Sequence, residues 1–259
     1  MRLTAAILVA LAAFARRAEA QVPADMAAIP AGAYEPLYRA PGEARIAVAA
    51  FAIDREPVTA GAFLAFVRTH PAWRRDVLRP VFAERGYLGD WPAPLDAGDP
   101  RRPVTAVSWF AARAYCAASG RRLPTVDEWE YVAAASETAR DATRDPAFVR
   151  RLLALYASRR TDGPAAPGFR NAYGVRGLHG GPWEWTLDFN SVLVADDSRA
   201  LGAGGDERDH GLFCASAAIG ATDPSNYPAF LRYAFRAGLS GRTTARTLGF
   251  RCAIDLPAA

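Results

Sequence analysis

Three cysteines, three histidines and no lysine define the side-chain chemistry open to this chain of 259 residues. The cysteines are Cys116, Cys214 and Cys252, so one thiol is left over once a single disulfide has formed. Cys214 has a histidine, His210, four residues before it. A soft thiolate with an imidazole as second donor is a copper(I) ligand set, because a lone thiolate holds that ion poorly. The same thiol reads equally as a small buried hydrophobe. His70 and His179 add nothing to a metal cluster, since no H-x-x-x-H spacing exists to build a histidine triad. The absence of lysine excludes Schiff-base catalysis by a side-chain amine. No G-x-S-x-G elbow, G-x-G-x-x-G turn or phosphate-binding G-x-x-x-x-G-K-[ST] loop is present. The chain therefore carries no signature for a nucleotide, and no flavin or haem is expected.

These residues must be positioned by short elements of mixed type. Arg2 followed by the apolar run Leu3–Ala15 and the small-x-small triplet Ala18-Glu19-Ala20 has the form of a signal peptide over residues 1–20. The run is too short for a comfortable membrane span, although Arg16 and Arg17 leave an uncleaved anchor open. A periplasmic or secreted location follows, with no stable membrane span after cleavage and a single domain over residues 21–259. Without residues 1–20 the formal charge falls from +4 to +2, as Arg2, Arg16, Arg17 and Glu19 leave. Arginines interleaved with acids form no basic stripe, which speaks against nucleic acid.

The local signals are strongest between Pro103 and Ala135. Val104–Val107 is strand-like, and Ser108 can cap a helix that places Trp109, Ala112 and Cys116 on one face. Gly120 ends that helix. Thr125-Val126-Asp127-Glu128 is a T-x-x-E capping box opening the next. Ile29–Gly32 reads as a strand running into a turn, and Ile46–Ile53 as one buried strand. Helices are expected from Pro57 or Val58, from Asp145-Pro146 through Leu155, and over Tyr227–Phe235. Arg85–Arg102 and Asp188–His210 read as surface loops. Short, mixed elements between long loops argue for an irregular α+β domain.

In their order along the chain, several segments resemble the formylglycine-generating enzyme family, also called sulfatase-modifying factors. They are Phe51–Thr59 (FAIDREPVT), Pro103–Trp109 (PVTAVSW), Arg122–Tyr131 (RLPTVDEWEY), Asn171–Gly174 (NAYG), Trp183-Glu184-Trp185 and Leu248–Cys252 (LGFRC). The resemblance implies a fold distantly like C-type lectins, with little regular secondary structure. The segment Phe213–Cys252 looks most like accessory proteins associated with bacterial copper nitrite reductase.

The resemblance implies site residues as well. Cys116 and Cys252 match positions that form a disulfide in the family. Such a bridge closes a long loop and contributes roughly 3–5 kcal/mol. Cys214 lies near the family's first copper-binding thiol, but Ile219 stands where the second is expected, five residues on. The family also binds calcium near the W-E-W segment. There Glu184 is retained, while Gly181 replaces the usual asparagine. Arg232, Arg236 and Arg251 either line a groove for an acidic or peptide client or pair with buried carboxylates. Three functions remain: an accessory or maturation protein acting on a client such as a copper enzyme, a copper-dependent oxidase converting a client cysteine to formylglycine, and a lectin-like binding domain without catalysis.

Overall fold

A computed structural model describes residues 22–37, 45–157, 169–190 and 226–257. Its largest sheet has three antiparallel strands in the order β1 (Met26–Ile29), β4 (Phe51–Asp54), β7 (Ala253–Asp255). In register, Ile29 faces Phe51 and Ile53 faces Ala253. β2 (Gly32–Tyr34) and β3 (Ile46–Val48) pair antiparallel in a second sheet. β5 (Trp183–Glu184) and β6 (Leu248–Gly249) pair in parallel. The helices are α1 (Ala60–Thr69), α2 (Trp109–Ala118), α3 (Val126–Ala133), α4 (Pro146–Ala157) and α5 (Tyr227–Ala237), with a 3₁₀ turn at Pro71–Trp73. This is the irregular α+β architecture expected from the sequence. None of the described helices is long and apolar enough to cross a membrane.

Helix boundaries follow the local chemistry. Ser108 Oγ accepts from Ala111 N and caps α2, and Gly120 turns the chain at φ +67° just beyond it. The capping box of α3 is complete: Thr125 accepts from Glu128 N while Glu128 accepts from Thr125 N. Thr59, rather than Pro57 or Val58, caps α1. α5 starts as expected and runs one half-turn further, to Ala237.

Three expectations change. Ile46–Ile53 is not one strand. Ala49 and Ala50 break it into β3 and β4, which belong to different sheets. Val104–Val107 forms no strand. Its backbone bonds to isolated loop partners, Val104 N to Val58 O and Ala106 N to Ala245 O, and Ala106 takes φ +56°. The Arg85–Arg102 loop is not wholly a surface feature, because Tyr87, Leu88, Trp91 and Ala97 are buried in the core. A coil segment can supply core residues when its apolar side chains are few and unevenly spaced, a pattern that periodicity does not register.

The main core packs Phe63, Trp91, Leu123, Trp185, Leu248 and Phe250 around the Cys116–Cys252 disulfide. A second cluster joins the three-stranded sheet to α3 through Ile29, Phe51, Trp129 and Val132.

Candidate functional site

The segment Arg122–Tyr131 is a set of long-range anchors. Arg122 grips Glu128 through two N–H bonds of 2.7 and 2.6 Å and also reaches Asp255. Leu187 N donates to Pro124 O, and Val126 N donates to Asp188. Asp127 accepts from Tyr34 Oη at 2.6 Å. Burial pushes the Tyr34 phenol far above its ordinary range, so it remains a donor.

Glu130 projects from α3 into a buried ion cluster with α5. Arg232 donates to it from Nε at 3.0 Å and from Nη2 at 2.6 Å, and Arg236 donates from Nη1 at 2.6 Å. The i, i+4 spacing puts both arginines on one helix face, so they converge on a single acceptor. All three side chains are almost wholly buried. Burial alone would raise the Glu130 carboxyl, but the two guanidiniums win and hold it at about 2. Burial opposes the charge on Arg232 too, yet Glu130 and Tyr156 raise its pKa. Two cations share one anion here. The surplus positive charge lies over the indole face of Trp129, 4.9 Å from Arg236 and 5.7 Å from Arg232.

The polar chain continues. Arg232 Nη1 donates to Tyr156 Oη at 3.2 Å, which lies 2.9 Å from His179 Nδ1. His179 Nε2 sits 2.8 Å from Ala133 O. A carbonyl only accepts, so Nε2 carries the proton and Nδ1 takes the Tyr156 hydroxyl. His179 is thereby a packing histidine between Phe148, Phe169 and Trp129. Trp183 stacks between Tyr156 and Phe235, with ring centres 5.6 and 4.5 Å away.

A second buried pair joins β5 to the last segment. Arg251 donates to both Glu184 oxygens at 2.7 Å, and Trp129 Nε1 donates to Glu184 Oε2 at 2.8 Å. Both charged side chains have no solvent exposure. Arg251 also ties down the carbonyls of Asp54 and Arg176. Next to it, Cys252 is bonded to Cys116, the pair the resemblance implied. Asp54 accepts from Cys252 N at 2.7 Å and from Arg121 Nη1 at 2.5 Å. Burial outweighs both and lifts its carboxyl to about 6.

The fold places some of the site residues read from the sequence. Cys214, His210 and Ile219 lie outside the described residues. Arg232 and Arg236 come together, but on Glu130 rather than along an open groove. Arg232 contributes only to the floor of a narrow cleft between α3, α4 and α5, whose wall includes Tyr34, Phe148 and Asn226. Glu184 and Arg251 come together on each other. Glu130, Tyr156 and Asp54 were not singled out by sequence reasoning. The paired arginines of LRYAFR were the available signal for Glu130, since two cations on a buried helix face require an acceptor.

With this geometry in place, the comparisons fit one family. Residues 12–256 match the sulfatase-modifying factor enzyme 1-like domain. The chain is 30% identical over 250 residues to the inactive C-alpha-formylglycine-generating enzyme 2 of Bos taurus, covering 80% of this chain and 78% of that protein. It is 25% identical over 294 residues to the formylglycine-generating enzyme of the same organism, covering 90% and 75%. PvdO from Pseudomonas aeruginosa aligns over 89% of this chain and 94% of its own, at 19% identity and TM-score 0.48. The chain belongs to the sulfatase-modifying factor family, whose formylglycine-generating fold it adopts.

The family's two metals can be tested against these residues. A copper(I) site of two thiolates needs two free cysteines. The disulfide takes two of the chain's three, so the donor set does not fit. For calcium, Glu184 is the retained carboxylate, but both its oxygens are held by Arg251 and Trp129. At position 181 a Cβ would sit 2.2 Å from Gly177 O, so no asparagine fits this backbone. The W-E-W segment thus offers calcium no carboxylate oxygen that is not already bonded to a protein donor. Among the described residues there is no group of three or more His, Cys, Asp or Glu side chains that could hold a metal.

Proposed function

We propose that this protein is an exported accessory or maturation factor that binds a protein client instead of oxidising it. The observation that carries this reading is the cysteine inventory: with Cys116 bonded to Cys252, Cys214 is the one thiol left in the chain. A single chain therefore lacks the thiol pair on which the family's oxidation depends. Similarity to a relative named as inactive supports the same reading. Residues 1–20 act as the export signal, residues 21–259 form the domain, and the mature protein works in the periplasm or outside the cell. The client class is a copper enzyme. The likeness of Phe213–Cys252 to nitrite-reductase-associated accessory proteins is the reason for that choice. Cys214 with His210 is the candidate contact for the client's metal.

A copper(I) competition titration tests the proposal, run on the wild type and on Cys214→Ser, His210→Ala and Ile219→Cys. The wild type is expected to bind weakly, and Ile219→Cys to bind at least about a hundredfold tighter as the two-thiolate set is rebuilt. Loss of the weak site in both Cys214→Ser and His210→Ala supports the metal-contact role, and unchanged affinity removes it. In parallel, the wild type is incubated with copper(I), oxygen and a cysteine-containing client peptide, and the product is read by mass spectrometry. Repeated turnover of cysteine to formylglycine overturns the accessory reading. In the source cells, removal of the protein should lower the copper content of the client enzyme.

A further inference from the structure

One face of the molecule has a charge pattern that the buried clusters do not explain. Three loops are laced together there by backbone bonds. Glu84 N donates to Arg242 O, Trp109 N to Gly241 O, and Ala106 N to Ala245 O. Gly86 lies so close to Thr244 that a Cβ would meet Thr244 Oγ1 at 2.9 Å. These loops and the adjoining helix α2 carry five exposed arginines: Arg79, Arg85, Arg242 and Arg246 on the loops and Arg113 on α2. None of the five meets a carboxylate among the described residues. Arg74 and Arg102 on the same loops, and Arg121, Arg122, Arg144 and Arg151 elsewhere, all do, whereas the exposed Arg68, Arg140, Arg150 and Arg170 elsewhere do not. The acids on the same loops are Asp76, Asp90 and Asp99, bonded to Arg74, Arg102 and Arg101, together with Glu84 and Asp96. Among the described residues, five exposed guanidiniums thus face two acids without an arginine partner, Glu84 and Asp96, in a chain whose mature net charge is only +2.

Apolar surface runs through the same face. Val77 and Val81 are 51% and 57% exposed. Beside them the half-buried rings of Trp73, Phe82, Phe110 and Trp109 pack in sequence, with centres 5.4–5.7 Å apart. Arg113 lies over the Trp109 ring at 5.3 Å. Arginine forks match planar carboxylates, and a neighbouring apolar strip takes the side chains between them. Phe82 and Phe110 meet edge to face, at 69°, so they do not offer the open platforms on which bases stack. The exposed valines sit on turns and not on an amphipathic helix of the kind that lies in a lipid interface.

We propose that this face docks an acidic segment of the protein client, with client carboxylates on the five arginines and client apolar residues along Val77, Val81 and the Phe82–Phe110 pair. This deepens the client-binding reading and rests on it. The face lies outside both buried ion clusters, so docking is separable from the integrity of the core.

The test is fluorescence anisotropy with a fluorescein-labelled peptide in which Asp and Glu alternate with Leu and Phe. The peptide is titrated with the full mature protein at about 0.02 M and about 0.3 M salt. Binding should weaken about tenfold or more at the higher salt. Arg85→Glu and Arg242→Glu should each weaken it about three- to tenfold at low salt. Arg150→Glu, an exposed arginine on α4 outside the face, should stay within about twofold. Thermal melting checks each variant's fold, and Arg85→Gln with Arg242→Gln replaces the reversals if either fails to fold. Equal losses in Arg150→Glu and Arg242→Glu would overturn the proposal, as non-specific charge attraction. Tighter binding of anionic lipid vesicles or single-stranded RNA than of the peptide, lost in Arg242→Glu, would also overturn it in favour of those partners. The assay contains no copper. A negative result therefore leaves the copper(I) titration standing, and an oxidase result there leaves peptide docking measurable on its own.

Discussion

Glu130→Gln is the sharpest probe of what holds this fold together, because it removes one charge and almost no volume. In the native protein Glu130 is the shared acceptor of Arg232 and Arg236, with both guanidiniums at 2.6 Å. Its carboxyl is held at about 2 against an ordinary 4.5. A depression of that size corresponds to about 3 kcal/mol of native-state stabilisation. The sign is that of a lowered carboxyl: the contribution is complete above about pH 4.5 and is lost as pH falls through about 2. Breaking a buried ion pair from one side costs about 3–5 kcal/mol by a separate route, since the remaining cations lose their counter-charge. For a domain of this length such a loss lowers Tm by roughly 6–20 °C. Urea unfolding at pH 7 and at intervals down to pH 2 should show the wild type and the variant converging in acid, as the increment that Glu130 supplies disappears. A variant less than about 1 kcal/mol below wild type at pH 7, with an unchanged acid limb, would refute the reasoning. The triple replacement Glu130→Leu, Arg232→Met, Arg236→Leu should recover much of the loss, because no charge is then left buried.

Three further outcomes are expected. Reducing the Cys116–Cys252 bond, which spans 136 residues, should destabilise the protein by about 5 kcal/mol. Ellman's reagent should count one thiol in the denatured oxidised chain and three after reduction. Asp54 should titrate near pH 6, driven up by burial. Its contribution is fully present below about pH 3.8 and lost as pH rises through about 6, about 3 kcal/mol; a carboxyl NMR titration giving a value below 4 would contradict it. Gly181→Ala should cost about 2 kcal/mol or more, since its Cβ would collide with the Gly177 carbonyl at 2.2 Å. A melting curve unchanged from wild type would mean that this turn can relax.

The elements legible in the sequence are those whose information is local. The Thr125–Glu128 capping box, the Ser108 cap, the Gly120 stop and the α4 and α5 starts each need only neighbours within one turn. The break at Ala49-Ala50 was hidden because an apolar run looks the same whether it serves one sheet or two. The likeness of the R-L-P-T, W-E-W and G-F-R-C segments carried the family, and with it the disulfide partners.

The meaning of the charged residues was decided only in three dimensions. From the sequence, the family likeness makes Glu184 a cation ligand, and Arg232 and Arg236 either line a groove or pair with buried carboxylates. In the fold, Glu184 closes on Arg251 sixty-seven residues away, and the two arginines close on Glu130 across more than a hundred. An ionised side chain can enter a dry interior only with its partner, and sequence separation says nothing about which partner will be there. The sequence alone determined how many thiols exist. The family likeness named Cys116 and Cys252 as partners, and the tertiary structure brings them together across 136 residues.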